Sequence, residues 1–324
     1  MQFFGHTNID FLSKRIIIIN ASLAFLVIGL IATIILGPKL GIDFTGGLEL
    51  AYKFDKPVNT EEIRKAMSAA GIKSGEIKSY GEENQFLIRI KESEHAPELV
   101  NAALTKAFPN VKLEVLKSEK IEPKIGSEIA LQAVLSVALA VIAILIYVAF
   151  RFEFTFGIGA VVALVHDVLI TFAVVVMVSH LNIINLEMNQ SFVAAILTVV
   201  GYSINDTVII FDRIRENKEK TKGSDFIKIA NMSINETLSR TVNTVGTTVI
   251  VLVVLLFFGG PVLEGFAFIM LFGILIGTFS SVFVATPIVI LYLQKIKKIN
   301  IREMTRIAPI KPISSEIEAK IKSV

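Results

Sequence analysis

The chain has 324 residues, of which 53% are hydrophobic and only 19% are charged, and its mean hydropathy is +0.67. Soluble domains carry about 25% charged residues, so this composition predicts a membrane protein. The formal net charge of +3 is too small to indicate a nucleic acid as partner, and the absence of cysteine excludes disulfides, thiolate metal ligands and thiol nucleophiles.

Six apolar segments reach or approach the ~20 residues that a helix needs to cross a bilayer core. In chain order they are 16–36, 129–150, 156–178, 192–211, 242–258 and 266–293. The last of them contains Gly273 and Gly277, and this GxxxG spacing lets helices approach closely. The chain is therefore predicted to be an α-helical membrane protein with six spans.

Lysine and arginine are distributed unevenly between the connections. They precede the first span, occupy the short connection after the second and are frequent at 213–228 and 295–302, whereas 179–190 and 259–263 contain none. The positive-inside rule therefore predicts that both termini are cytoplasmic. The predicted organisation is a cytoplasmic N-terminus (1–15), a first span (16–37), an external domain (38–125), spans two to six with a cytoplasmic connection at 213–240 (126–294), and a cytoplasmic tail (295–324).

The external segment alternates between strand and helix patterns. Strands are predicted at 48–54, 76–80, 85–91 and 111–117, with a turn at 81–84 and helices at 60–71, capped by Asn59, and at 96–108. This βαββαβ order is typical of a ferredoxin-like α+β domain with both helices on one sheet face. The segment has no paired carboxylates, metal-ligand spacing or nucleophile arrangement, so we interpret it as a recognition or relay module.

The segment 224–238, between the fourth and fifth spans, places its apolar residues near one helical face. It is either an amphipathic helix on the membrane surface or part of an ordinary soluble helical hairpin. Its pattern alone favours neither.

Asp206 lies inside the apolar part of the fourth span. A carboxylate in hydrocarbon costs several kcal/mol, so it normally faces the bundle interior or a wet cavity and marks an ion pathway. Tyr202 and Ser203 share its helical face, because they are three and four residues away. The alternative is a structural polar contact that only holds helices together.

Two other polar groups fall within the spans. The fifth apolar segment is short and is expected to take its start from Ser239-Arg-Thr241, so that Arg240 lies at or just inside the membrane. There, Arg240, Thr244, Thr247 and Thr248 form one helical face, and an arginine can neutralise an acid on a neighbouring helix. His166 and Asp167 lie near the middle of the third span, where a lone histidine is more often satisfied by a neighbour than titrating. The candidate polar cluster is His166, Asp167, Tyr202, Asn205, Thr247 and Thr248.

The sequence contains no phosphate-binding loop and no zinc-ligand spacing. We therefore expect no cofactor, no metal site and no catalytic residues, and ATP is not expected to be the energy source.

Several short motifs occur in order on these spans. They are Gly41-Ile-Asp43-Phe-Thr45-Gly46-Gly47, Val165-His-Asp-Val168, Gly201-Tyr-Ser-Ile-Asn-Asp-Thr-Val208 running on to Glu216, Leu238-Ser-Arg-Thr241 with Thr244, Thr247 and Thr248, and Gly277-Thr-Phe-Ser-Ser281 with Pro287. Together they resemble the SecF family of bacterial protein-export membrane subunits, within the SecD/SecF branch of the resistance-nodulation-division superfamily. The related SecD type has Arg-Gly-Gly where this chain has Thr45-Gly46-Gly47, and a much longer external region.

The resemblance implies a six-span half of a resistance-nodulation-division-type bundle, with one external ferredoxin-like domain between spans 1 and 2. It implies SecD, the SecYEG channel, translocating unfolded secretory polypeptides and membrane lipid as partners in the bacterial cytoplasmic membrane, with proton-motive force assisting late steps of export. It also implies that Asp206, Arg240 and Thr244 belong to the proton pathway, and that Asp43, Gly46 and Gly47 form a motif after the first span.

Two alternatives stay open. One is half of a proton-driven small-molecule exporter of the same superfamily, although one ~80-residue external unit is small for such a protein. The other is a structural membrane scaffold whose polar residues only hold helices together.

Overall fold

The computed structural model describes residues 7–72, 74–79, 84–90, 96–181, 183–184, 186–221 and 225–296. Most of the turn predicted at 81–84 and nearly all of the tail predicted at 295–324 lie outside the described residues. The same holds for Lys222, Lys297, Lys298 and Arg302, which contributed to the predicted orientation.

The described helices and strands confirm the predicted order of elements. The helices are α1 (Arg15–Leu36), α2 (Ile42–Thr45), α3 (Thr60–Ala69), α4 (Ala96–Ala107), α5 (Pro123–Arg151), α6 (Phe154–Leu181), α7 (Gln190–Lys220), α8 (Phe226–Phe258), α9 (Gly260–Ser280) and, after a π-helical turn (Ser281–Ala285), α10 (Thr286–Lys295). The strands are β1 (Gly47–Phe54), β2 (Ser74–Ser79), β3 (Gln85–Ile90) and β4 (Leu113–Ile121).

Six helical stretches are long and apolar enough to cross a membrane. They are α1, Gly126–Arg151 of α5, α6, α7, α8 and Leu263–Lys295, which joins α9, the π-helical turn and α10. The six predicted spans are thus confirmed, and the chain is a multi-pass membrane protein.

The helices of the fourth and fifth spans continue well beyond their apolar parts. In α7 the charged end is held helical by ion pairs of Glu216 with Arg213 at 2.6 Å and with Lys220 at 2.5 Å, which have the i,i+3 and i,i+4 spacings that favour a helix. The segment 224–238, for which the sequence left a surface helix and a helical hairpin equally open, is from Phe226 onwards the beginning of α8 itself, and its Phe226 and Ile234 are buried in the core. A separate helix on the membrane surface is therefore wrong, and α7 and α8 form a helical hairpin.

The α+β domain (Gly47–Ile121) has the predicted ferredoxin-like topology. Its sheet has the order β2-β3-β1-β4 with every neighbouring pair antiparallel. Tyr52 and Ile88 of the sheet pack with Ile63 of α3 and Leu104 of α4 in one core. Helix α3 begins with a capping box, because Asn59 accepts from Glu61 N–H at 3.1 Å while Glu62 accepts from Asn59 N–H at 3.1 Å.

The spans divide into inner and outer helices. About half of the residues in the apolar windows of α6, α7 and Leu263–Lys295 are buried, against less than a fifth in α1, α5 and α8. Helices α7 and α9 pack closely at the predicted GxxxG motif, since a Cβ on Gly273 would meet Val199 Cγ2 at 2.3 Å and one on Gly277 would meet Ser203 Cβ at 2.9 Å. The glycines therefore set the distance between the two helices that carry most of the polar core.

We expect Gly273→Val to destabilise the bundle by about 1–3 kcal/mol, because the added side chain has no space beside Val199. Thermal unfolding of the detergent-solubilised chain, followed by size-exclusion chromatography, measures the effect. Gly246→Val is the matched control, since a Cβ at Gly246 of α8 meets nothing within 4 Å. Equal stability of the two variants would show that α7 and α9 are not held this closely.

Candidate functional site

Two carboxylates lie buried inside the membrane-spanning bundle. Asp167 of α6 is completely buried and Asp206 of α7 is 5% exposed. Both were selected from the sequence, and both are held by helices of the buried inner group. An acid in such a position requires hydrogen-bond donors, so its partners indicate its role.

Three donors surround Asp167. His166 Nδ1 lies 2.8 Å from Asp167 Oδ1, and the hydroxyls of Ser203 and Ser280 each donate to Oδ2 at 2.6 Å. On its other side, the imidazole of His166 lies 2.7 Å from Ser22 Oγ through Nε2. The cluster therefore joins α1, α6, α7 and α9, and its donors suit a carboxylate that is ionised.

Asp206 has a much sparser environment. Its one hydrogen bond among the described residues comes from the Thr278 hydroxyl of α9, which donates to Oδ2 at 3.0 Å. Thr278 also lines a cavity of about 290 Å³ between α7, α8 and α9, whose walls are mostly apolar but include Thr237 and Thr241. A buried carboxyl group with one weak donor is not committed to the ionised form.

The π-helical turn lies directly beside both acids. Thr278 and Ser280 are two residues apart on α9, so they point in different directions and reach different carboxylates. Pro287 has no N–H to donate to the carbonyl of Phe283, which disfavours a regular α-helix at this point, and the Thr286 hydroxyl donates to Ser281 O at 3.1 Å. Such π-helical insertions occur frequently at functional sites.

The polar face predicted at the head of the fifth span is present but does not contact Asp206. Arg240 is exposed, and within the described part of the chain neither a hydrogen bond nor an ion pair joins it to Asp206, although its charge acts on the carboxylate. The hydroxyls of Thr247 and Thr248 bond carbonyl oxygens of their own helix at 2.9–3.0 Å, and Thr244 is half-buried.

The other two members of the candidate cluster lie at the edge of this site. Tyr202 is half-buried and packs beside the core that α6, α7 and α9 form, whereas Asn205 is exposed on α7. The structure thus brings His166 and Asp167 together and leaves Asn205 and Arg240 on the outer surface.

The motif after the first span forms the junction between the α+β domain and the bundle. Gly46 has a φ of 76°, and a Cβ on Gly47 would meet Ile90 O at 2.6 Å. Gly126 at the start of α5 packs against the same backbone, since its Cβ would meet Gly46 N at 2.9 Å. Asp43 accepts from the N–H of Gln190, the first residue of α7, at 3.2 Å.

The junction continues into a charged cluster of the sheet. Glu49 is 7% exposed and binds Arg89 at 2.7 Å and Lys117 at 2.8 Å, while Arg89 lies 3.9 Å from Asp43. Burial acts to raise the pKa of Glu49, but the hydrogen bond from Lys117 and the charge of Arg89 outweigh it, so the pKa is below its ordinary value. The carboxylate thus stabilises the fold as an anion.

We expect Glu49→Gln to loosen β1 at pH 7, by about 1–3 kcal/mol. Because the folded pKa is lowered, the contribution of Glu49 is complete above about pH 4.3 and is lost as the pH falls through the folded pKa. Hydrogen exchange of a peptide covering β1 measures this, and the difference between wild type and variant should shrink as the pH falls through the lowered pKa of Glu49. Glu114→Gln, on the exposed surface of β4, is the control and should exchange as the wild type does.

Comparison with known proteins identifies the family. Residues 100–295 match the family described as protein export membrane protein SecD/SecF, C-terminal, and residues 31–58 match the SecD/SecF GG motif. The protein translocase subunit SecF of Thermodesulfovibrio yellowstonii is 41% identical over 90% of this chain and 97% of its own length. This chain belongs to the SecF family. The SecF subunit of Rhodothermus marinus is 39% identical over 90% of this chain and 95% of its own.

A solved structure shares the whole architecture. The crystal structure of SecDF, a translocon-associated membrane protein from Thermus thermophilus, is 33% identical with a TM-score of 0.74 over 91% of this SecF-family chain. The chain spans 40% of the length of that SecDF chain. A second structure, SecDF in a super-membrane-facing form, gives a TM-score of 0.73 at 32% identity over 92% of this chain. The match confirms the predicted fold class.

Sequence reasoning missed several partners of the two acids. Ser22, Thr278 and Ser280 contact His166, Asp206 and Asp167, respectively. The signal for two of them was in the Gly277-Thr-Phe-Ser-Ser281 motif, which places three hydroxyl side chains within five residues. Among the described residues, no group of three or more His, Asp or Glu side chains is arranged to hold a metal ion.

Proposed function

We propose that this chain is an accessory subunit of a bacterial protein translocase that, together with SecD, uses the proton-motive force to assist late steps of export through the SecYEG channel. Both termini and the α7–α8 hairpin lie in the cytoplasm, and the α+β domain lies outside the cytoplasmic membrane, in agreement with the charge bias of the connections. The chain has no hydrolytic role in this proposal.

The observation that carries the proposal is the environment of Asp206. The carboxyl group is buried among α7, α8 and α9 with one hydroxyl donor at 3.0 Å, while the charge of Arg240 acts on it from the neighbouring helix. The Thr278 hydroxyl can donate to a carboxyl oxygen in either form, whereas an approach of Arg240 would stabilise the ionised form. A proton bound from one side and released to the other carries about 2.3 kcal/mol per 100 mV, enough to bias a motion of the bundle.

An exposed polar face supports the partnership with SecD. Three polar side chains are exposed on α7 and α8, in the parts of the fourth and fifth spans that are proposed to lie in the membrane. They are Asn205, Arg240 and Thr247. Side chains of this kind are costly against lipid and normally face other helices of a bundle. A SecD subunit is proposed to cover them, and Thr244 and the opposed SecD helices then complete the surroundings of Arg240.

The proposal is tested in inverted membrane vesicles that contain the SecYEG channel, the SecD partner and either this chain or none. Export of a radiolabelled secretory polypeptide is measured with and without a proton gradient. We expect the gradient to stimulate export several-fold only where the chain is present. Equal stimulation in both vesicle preparations would contradict the proposed function, and gradient-driven efflux of a dye by the chain would favour the small-molecule exporter.

A further inference from the structure

Both ring nitrogens of His166 have hydrogen-bond partners. These partners can accommodate the imidazole in its neutral or its protonated form. Nδ1 lies 2.8 Å from Asp167 Oδ1 and Nε2 lies 2.7 Å from Ser22 Oγ. The carboxylate accepts a hydrogen bond in either state, so Nδ1 carries a proton throughout. A hydroxyl is both a donor and an acceptor, so Ser22 can donate to a neutral Nε2 or accept from a protonated one.

The rest of the cluster favours a proton on the ring over one on Asp167. Asp167 Oδ1 faces His166, and Oδ2 accepts from Ser203 and Ser280 at 2.6 Å each. A proton placed on Oδ2 would require one of these hydroxyls to accept and to turn its own proton elsewhere, as Ser280 could towards Gly277 O at 3.0 Å. An imidazole is, however, intrinsically more basic than a carboxylate. A proton placed on Nε2 requires only that the Ser22 hydroxyl rotate.

The charge beside His166 comes from Asp167 of its own helix. The other elements packed around the pair contribute hydroxyl groups, which are Ser22 from α1, Ser203 from α7 and Ser280 from α9. Helix α1 has no charged side chain between Arg15 and its end at Leu36. An imidazolium at this position would therefore form one ion pair, with a carboxylate that already has its donors.

The contact of Ser22 with His166 is one of several that hold α1 along α6. Two turns further along α1, a Cβ on Gly29 would meet Ala173 Cβ of α6 at 2.9 Å. Beyond the end of α1, the Lys39 ammonium donates to Ser179 O of α6 at 2.7 Å. The partners advance together along both helices, so α1 and α6 run parallel in one register. Of these contacts, Ser22 with His166 is the one that a proton can change.

We propose that His166 is a second proton-binding site of the bundle, distinct from Asp206, and that Ser22 transmits its proton state to α1. When a proton from water enters Nε2, the Ser22 hydroxyl turns away from the ring towards the carbonyl one turn earlier in α1, and accepts from Nε2–H instead. Because α1 leads directly into α2 and the α+β domain, the site acts on the helix that holds that domain. Its part in export rests on the proposed function, whereas the proton site itself does not.

The proton state of His166 can be observed directly. The chain has four histidines, at positions 6, 95, 166 and 180. Uniformly ¹⁵N-histidine-labelled full-length chain in lipid nanodiscs is studied by NMR from pH 9 to pH 5, and the His166 signals are those absent from His166→Gln. We expect conversion of a neutral Nδ1–H ring into an imidazolium. A ring that stays in one state over this range would overturn the proposal.

Two serine variants distinguish the loss of the contact between Ser22 and His166 from an unspecific effect of replacing a serine in a membrane helix. Ser22→Ala should move the Nε2 resonance of the neutral ring, while Ser136→Ala, whose hydroxyl donates to its own helix on the exposed side of α5, should leave it unchanged. An unchanged Nε2 resonance in Ser22→Ala would show that the contact is absent. If the His166→Gln protein fails to accumulate, replacement of the other three histidines assigns the same signals.

Transmission to α1 is measured as a distance. Because the chain has no cysteine, Leu36→Cys and Leu181→Cys place one spin label at the exposed end of α1 and one at that of α6. We expect the distance between the labels to change by about 1–2 Å between pH 9 and pH 5, and not to change in Ser22→Ala. A pH-independent distance, or one that changes equally in Ser22→Ala, would overturn the proposed transmission. Neither experiment depends on export, so its failure is distinguishable from failure of the proposed function.

Discussion

Asp206→Asn is expected to assemble at normal levels and to lose the stimulation of export by a proton gradient. Asparagine has nearly the same size and its side-chain carbonyl still accepts the hydroxyl of Thr278, which is 3.0 Å from the aspartate. The variant is therefore fixed in a neutral state that cannot bind or release a proton. Gradient-dependent export in vesicles should fall to the level seen without the gradient, while gradient-independent export is kept.

The control for this result lies on the same helix. Asp212 is partly exposed and pairs with Arg151 at 2.5 Å, so Asp212→Asn removes a carboxylate of α7 outside the buried core. An exposed ion pair contributes about 0–1 kcal/mol, so this variant should respond to the gradient as the wild type does. If Asp206→Asn, present at normal levels, still responds fully, the proton pathway does not pass through Asp206.

The fold was largely predictable because its signals are local. Apolar length alone located six spans, and period-two and period-3.6 patterns located the four strands and two helices of the α+β domain. The sequence did not show where charged helix ends continue, as at Arg213–Glu216, because ion pairs at i,i+3 and i,i+4 extend a helix without any apolar signal. The beginning of α8 stayed ambiguous in the sequence, because one apolar face fits a surface helix and a helical hairpin equally well.

The candidate site was only partly predictable because its partners are distant in the chain. Acids in a span stand out by composition, so Asp167 and Asp206 were found, but serine and threonine are common in spans. The contact between Ser22 and His166 joins residues 144 positions apart, and that between Asp206 and Thr278 joins residues 72 apart. The expected approach of Arg240 to Asp206 stays a prediction, which applies to the ionised form of the site.

The two buried acids should respond differently to the same substitution. Asp167 accepts from His166, Ser203 and Ser280, so Asp167→Asn removes the charge and one acceptor oxygen, and His166 must change tautomer or a serine hydroxyl must turn to avoid two facing donors. Loss of the acceptor of a buried donor costs about 1–3 kcal/mol, and more where the acceptor is charged, while hydrogen bonds within membranes contribute somewhat less. We expect Asp167→Asn to lower the stability of the bundle by on the order of 3 kcal/mol.

Thermal unfolding of the detergent-solubilised chain compares this variant with Asp206→Asn and Asp212→Asn. The latter two should unfold close to the wild type, since Asp206 loses no strong donor and Asp212 is partly exposed. The double variant Asp167→Asn, His166→Gln should lose less unfolding free energy than the sum of the losses in the two single variants, because the two residues share one hydrogen bond at 2.8 Å. Strictly additive effects would mean that His166 and Asp167 do not act as a pair. An Asp167→Asn protein as stable as the wild type would show that this carboxylate, like that of Asp206, is not needed in its ionised form to hold the four helices together.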